Sequence, residues 1–326
     1  MRTIAIEEHF QSEGFTEAMN RATSGGGEGE IFMTGKMEKL RDLGSLRLRD
    51  MDVSGIDFQV ISHTVSGLVP LPDSEYVRLI QAANDQLAAA VTVHPDRFAG
   101  FAMLPMIDPK AAAAELERTV RSLGFKGAMI NGMTNGRFLD DPTFLPVLEQ
   151  AAALDVPIYI HPAEPPKAVW EAYYAGFDTA VSYILSTTGW GWHSEVGIHA
   201  LRLILSGIFD RLPTLQIVIG HMGEMVPFML DRINNMLTPM VKNLQRPVPE
   251  YFLQNFHFTT SAFFTYPPLL LALQVVGVDR IIFSIDYPYA SNEQGRAFLD
   301  SVPLSPADKE KISHLNAERL LKLTSE

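Results

Sequence analysis

The 326-residue sequence contains no cysteine, which removes disulfide frameworks and thiolate chemistry from consideration. No apolar run reaches the ~20 residues needed to cross a bilayer. Positive charge is scarce: 26 Lys and Arg stand against 38 Asp and Glu, a net charge of −12, which argues against the basic surface that nucleic acids require. No glycine-rich phosphate turn follows the first strand candidate, so a doubly wound dinucleotide fold lacks its signature. The N-terminus enters a strand pattern almost at once, so no signal peptide is expected and the cytoplasm is the default location. What remains is a chain with 47% hydrophobic and 20% charged residues, the balance of a globular protein. Its length suits one large α/β barrel or two ordinary domains.

Short β-prone runs alternate with helical periodicity along the whole chain. Strands are expected at residues 3–6, 58–62, 98–103, 127–130, 156–160, 216–219, 256–259 and 281–285. Between them, residues 73–93 place Val77, Ile80, Ala83, Leu87 and Val91 at helical spacing, and residues 110–123 form an amphipathic helix ending near Gly124. Residues 37–55 read as helical, and 305–323 as a closing helix. Eight strand–helix units in this length predict a (β/α)8 TIM barrel, residues 1–326 forming one barrel domain. Two excursions interrupt it. One follows strand 1 and carries the glycine-rich run at residues 24–30, read either as a mobile lid or as a tolerated surface insertion. The other follows strand 5 and holds all three tryptophans, Trp170, Trp190 and Trp192.

Reactive groups of such barrels sit at the C-terminal ends of strands. Here those ends carry Glu7 and His9 after strand 1, His161 after strand 5, His221 after strand 6 and Asp286 after strand 8. Glu7 and His9 are two residues apart, so in an extended strand they project to the same side and Glu8 to the other. A carboxylate and an imidazole converging in this way make half of a metal site. Each residue also has a plain structural reading: a turn cap for His161, a buried hydrogen-bonded core histidine for His221, a turn former for Asp286. Their joint placement on four strand ends favours the metal. The remaining histidines, His63, His94, His193, His199, His257 and His314, are assigned structural roles, with His63 the least secure.

The segments IEEHF (6–10), IHP (160–162), IGHMGE (219–224) and SIDYPY (284–289) resemble the amidohydrolase superfamily. Within it they are similar to the metal-dependent hydroxybenzoate decarboxylases: the γ-resorcylate, 2,3-dihydroxybenzoate and salicylate enzymes. Residues 47–57 (RLRDMDVSGID), 98–105, 201–213 and the Asp231-Arg232 pair extend the similarity over most of the chain. The opening Glu-x-His, in place of His-x-His, is the most discriminating motif. No lysine follows strand 4 at the place of a bridging carbamate, which implies one metal. The resemblance implies that Glu7, His9, His161 and Asp286 hold one divalent ion, Zn²⁺ or Mn²⁺, beside a His221–Glu224 pair. Phe10, Asn131 and Tyr289 would line the pocket. Arg232 would reach a neighbouring subunit's site, making a homodimer or homotetramer. The implied activity is non-oxidative loss of CO₂ from a small aromatic carboxylate, with Asp286 protonating the ring carbon. The alternative on the same scaffold is hydrolysis of a lactone or an amide.

Overall fold

The computed structural model describes residues 1–23, 35–64 and 72–323. The glycine-rich run at 24–30 and the first two residues of the 70–74 connection lie outside the described residues. Eight parallel strands follow one another: β1 (Ile4–Phe10), β2 (Phe58–His63), β3 (Phe98–Gly100), β4 (Ala128–Asn131), β5 (Ile158–His161), β6 (Ile217–Ile219), β7 (Phe256–Thr259) and β8 (Ile281–Ile282). Backbone ladders join β1 to β3 and β4 to β8. Two seams complete the (β/α)8 barrel. At the first, Ala102 pairs with Ala128, its amide donating to the Gly127 carbonyl at 2.8 Å. The second, between β8 and β1, is closed largely by side chains. The Ser284 hydroxyl accepts from the Glu7 amide (2.6 Å) and donates to Glu8 Oε1 (3.1 Å). The Glu8 carboxylate in turn accepts from the amides of Ile285 (3.0 Å) and Tyr287 (2.9 Å). The His9 amide donates to the Tyr287 carbonyl at 2.7 Å. This explains why β8 is a shorter ladder than the 281–285 run predicts.

Inward-pointing side chains fill the barrel: Ile4 and Ile6, Phe58 and Val60, Ala99 and Phe101, Met129, Tyr159, Val218 and Ile282, with Ala317 and Leu321 beneath them. Side chains that point the other way, such as Ala5, Phe10, Ile61, Ile130 and Ile160, pack under the helices in a second, larger cluster. Strand β1 breaks strict alternation. Its register with β2 slips between Ala5 and Glu8, so one extra residue is accommodated there. Ile6 and Glu7 consequently both face inward, and His9 follows Glu7 two residues on.

The helices follow local signals. Pro109–Leu123 begins where the Asp108 carboxylate accepts from the amides of Lys110 and Ala111, and it ends on Gly124 at φ 74°. Asp73–Val93 matches its expected bounds. The 37–55 stretch is two helices, Met37–Arg41 and Ser45–Ser54. The Asp42 carboxylate divides them by accepting from the amides of Gly44 and Arg47. The closing segment is likewise divided, into Pro306–Glu310, a π-helical turn at Lys311–Leu315 and Asn316–Leu321. Helices Lys167–Tyr173, Thr179–Ser186 and the start of Gly191–Leu205 form the excursion after β5. Among the described residues no helix is long and apolar enough to cross a membrane.

Candidate metal centre and proton-handling network

Three strand ends bring Glu7, His9, His161 and Asp286 together, with one ligand atom from each lying within 4.8 Å of the others. His9 Nε2 is 3.1 Å from Asp286 Oδ1, and His161 Nε2 is 3.5 Å from Glu7 Oε1. Three of these atoms, Glu7 Oε1, His9 Nε2 and Asp286 Oδ1, are buried and have no hydrogen-bond partner among the described residues. Orphaned buried polar atoms are rare, and several aimed at one point need an occupant. The donor set of two imidazoles and two carboxylates, at these separations, fits a single divalent cation.

The rest of each ligand is held by the protein. The hydroxyls of Tyr159, Thr259 and Ser261 all donate to Glu7 Oε2, which leaves Oε1 as the free atom. His161 Nδ1 donates to the Pro162 carbonyl (2.8 Å), so its Nε2 carries the lone pair. Burial lowers His161 to about 3 and His9 to about 4, keeping both imidazoles neutral. Gly220 admits no side chain here: a Cβ would lie 2.9 Å from Glu7 Oε2 and 3.1 Å from the Tyr159 hydroxyl. Burial pushes Asp286 up to about 7, against the opposing pull of His221 and Lys36.

Beside this group, His221 Nδ1 is 2.6 Å from Glu224 Oε1. The pair meets as the three-residue spacing predicts, but in a left-handed turn ahead of the helix Val226–Leu237. His221, Met222, Gly223, Glu224 and Met225 all have positive φ, as do Ala262 and Asp286 after the next two strands. Strained backbone of this kind costs about 1–3 kcal/mol per residue and collects at functional sites. Burial alone would lower His221, but the Glu224 and Glu7 carboxylates outweigh it and raise it to about 10; burial would raise Glu224, but His221 and His193 hold it low.

His193, assigned a structural role from sequence, instead sits on this pair, its Nδ1 2.6 Å from Glu224 Oε2 and its ring centroid 4.8 Å from that of His221. Tyr159 was passed over too, although alternation with His161 signals its inward direction. Tyr289 lies at the site: its ring is 5.5 Å from His9 and its hydroxyl 3.1 Å from Thr64 Oγ1. Asn131 pairs with His161 in the β4–β5 register, at the rim. Phe10 is corrected. It is 1% exposed, packs against His63 at 5.0 Å and belongs to the layer under the helices, because it follows His9 by one residue and so points to the opposite side of β1. His63 Nε2 accepts from the Ser12 amide at 2.9 Å. Arg232 is exposed on Val226–Leu237 and makes no hydrogen bond or ion pair with any described residue.

Residues 42–323 match the amidohydrolase family model. A decarboxylase of Emericella nidulans, orsB, is 37% identical over 98% of this chain and 97% of its own. The gamma-resorcylate decarboxylase of a Polaromonas species is 36% identical over 98% of each chain. Among solved structures, a 5-carboxyvanillate decarboxylase variant from Novosphingobium aromaticivorans, with bound manganese and 3-methoxy-4-hydroxy-5-nitrobenzoic acid, superposes with a TM-score of 0.91 at 34% identity, covering 99% of this chain and 97% of that one. A 2,6-dihydroxybenzoate decarboxylase complexed with 2,6-dihydroxybenzoate gives 0.86 at 33% identity, covering 99% and 100%. With its barrel, its strand-end ligand group and this full-length similarity, the chain belongs to the amidohydrolase family, in the branch that contains the gamma-resorcylate decarboxylases.

Proposed function

We propose that the protein is a carboxy-lyase that removes CO₂ without oxidation from a hydroxybenzoate-type acid, using one divalent metal ion. The observation that carries the reading is the convergence of three unpartnered buried ligand atoms with His161 at the C-terminal end of the barrel. Full-length relatives named as decarboxylases of small aromatic acids support it. Glu7, His9, His161 and Asp286 hold the ion. Manganese is the better-supported choice, being the metal bound in neighbouring structures, with zinc the other candidate. When bound, such an ion would act as a Lewis acid toward an anionic oxygen of the substrate.

Asp286 then places a proton on the ring carbon that bears the carboxylate. The carbon–carboxylate bond breaks, its electron pair returns to the ring, and CO₂ leaves as aromaticity is restored. His221 resupplies Asp286, and Glu224 holds His221 Nδ1 so that Nε2 faces the centre. Asn131 and Tyr289 orient the ring at the rim. Arg232 completes the pocket of a second subunit. It shares a helical face with Phe228 (78% exposed) and Met236 (52% exposed), spaced four residues apart, an apolar stripe suited to burial against a second copy. A dimer is therefore the minimal assembly, with a tetramer built from it.

The test is a panel of salicylate-type acids assayed for CO₂ release, run beside lactone and amide panels. Decarboxylation should be seen with Mn²⁺ bound, and Asp286→Asn should lower kcat by at least about a hundredfold while ligand still binds. Hydrolysis of a lactone or amide without CO₂ release would place the chain with the hydrolytic members instead. Near-normal turnover by Asp286→Asn would remove that residue from the acid role.

A further inference from the structure

The histidines His193 and His221 bracket Glu224, each with Nδ1 2.6 Å from a different carboxylate oxygen. A cation does not explain this trio, although its ligand atoms lie close together. Metal bonds of about 2.0–2.2 Å to nitrogen and oxygen would hold those atoms roughly 3 Å or more apart. A contact of 2.6 Å instead requires a shared proton. The far side of His193 is held as well: its Nε2 is 3.1 Å from the Thr188 carbonyl, which can only accept, so Nε2 donates there and the ring is fixed against Glu224.

We infer that His193 is a positioning residue of the decarboxylation site: it fixes the second oxygen of Glu224, so that Glu224 keeps its hold on His221 and leaves His221 Nε2 as the one open nitrogen of the trio. This rests on the proposed role of His221 as the proton donor to Asp286. A buried carboxylate oxygen left without a partner is costly, and His193 supplies that partner to Glu224 Oε2. The geometry also excludes the competing arrangement, in which Glu224 turns its second oxygen away and loosens its hold on His221. His193 is buried, and its ring lies against Phe263 (centroids 5.5 Å apart), so water does not substitute for it.

Two variants and one spectrum test this. His193→Asn keeps a donor within reach of Glu224 but loses the Thr188 bond; His193→Phe loses both. His193→Phe should lower kcat about ten- to a hundredfold and His193→Asn by less, with KM within about twofold and metal content unchanged. Wild-type kcat in His193→Phe, or a kcat loss that follows loss of bound metal, would overturn the proposal. Independently of turnover, ¹⁵N NMR of histidine-labelled, zinc-loaded protein should show the His193 Nδ1 resonance move in Glu224→Gln while Nε2, bonded to Thr188, stays in place. An Nδ1 resonance unmoved by Glu224→Gln overturns it outright. Should no aromatic acid be decarboxylated, the reaction reading fails on its own panel while the spectrum still judges His193.

Discussion

Glu8 offers the sharpest test of how this site is held, because it lies within the ligand motif yet points away from the metal centre. It is fully buried, and its two oxygens accept from the amides of Ile285 and Tyr287 and from the Ser284 hydroxyl. Asp286 sits between those two amides. Glu8→Ala leaves both amides buried without an acceptor, at about 1–3 kcal/mol each, or about 2–6 kcal/mol together. That is a large part of the ~5–15 kcal/mol that stabilises an ordinary domain. Glu8→Gln keeps one acceptor oxygen but turns an NH₂ toward a backbone N–H, so one bond is lost and about 1–3 kcal/mol with it. Urea unfolding of the metal-loaded proteins should therefore rank wild type above Gln above Ala. Because the same bonds hold Asp286 in its left-handed conformation (φ 73°), Mn²⁺ affinity should fall in the same order. Equal urea midpoints for all three proteins, or an Ala variant that unfolds early while binding Mn²⁺ normally, would refute the argument that Glu8 closes the barrel seam and positions Asp286.

Further outcomes follow from the same contacts. Tyr159→Phe removes one of three hydroxyls on Glu7 Oε2 without leaving a cavity; Mn²⁺ affinity should fall about 10–100-fold by competition against a chelator, with the fold intact by circular dichroism. Chelation should abolish turnover and lower Tm, and Mn²⁺ at a hundred times its Kd should restore about 2.7 kcal/mol of stability. His199 and His257 are buried neutral histidines whose pKa burial lowers from 6.5 to about 3. The unfolded chain takes up protons at these positions below pH 6.5 while the folded chain does not, so stability falls as pH drops from 6.5 toward 3, by roughly 2 kcal/mol per histidine between pH 7 and 5. Replacing His199 by Gln, which can still accept from the Leu139 amide, should flatten that acid limb in urea titrations at stepped pH.

The barrel was legible because its strands are short β-branched runs separated by helices with ordinary caps, and those signals are local. The metal group was legible from the same cause: each ligand ends a strand, and strand ends meet. What sequence could not supply was set by long-range packing. His193 lies 31 residues from Glu224 on an excursion without strand periodicity, so nothing local joins the two. Phe10 was drawn to the pocket by its place in the motif, although one step along a strand reverses the side chain. The division of residues 37–55 depends on Asp42 turning its carboxylate onto two amides, a choice that helical periodicity does not record. The left-handed run from His221 to Met225 has glycine at only one of its five positions, so composition gave no warning of it.

The slipped register near the start of the chain bears on how such an enzyme can change over evolutionary time. Even-numbered side chains line the cavity up to Ile6, and odd-numbered ones from Glu7 onward. Were the strand to straighten at its present length, simple parity would swing Glu8 inward and send Glu7 and His9 into hydrocarbon beneath the helices. The extra residue is therefore as constrained as the chemistry: point replacements can be sampled singly, whereas loss of the bulge exchanges the ligands for the strut behind them.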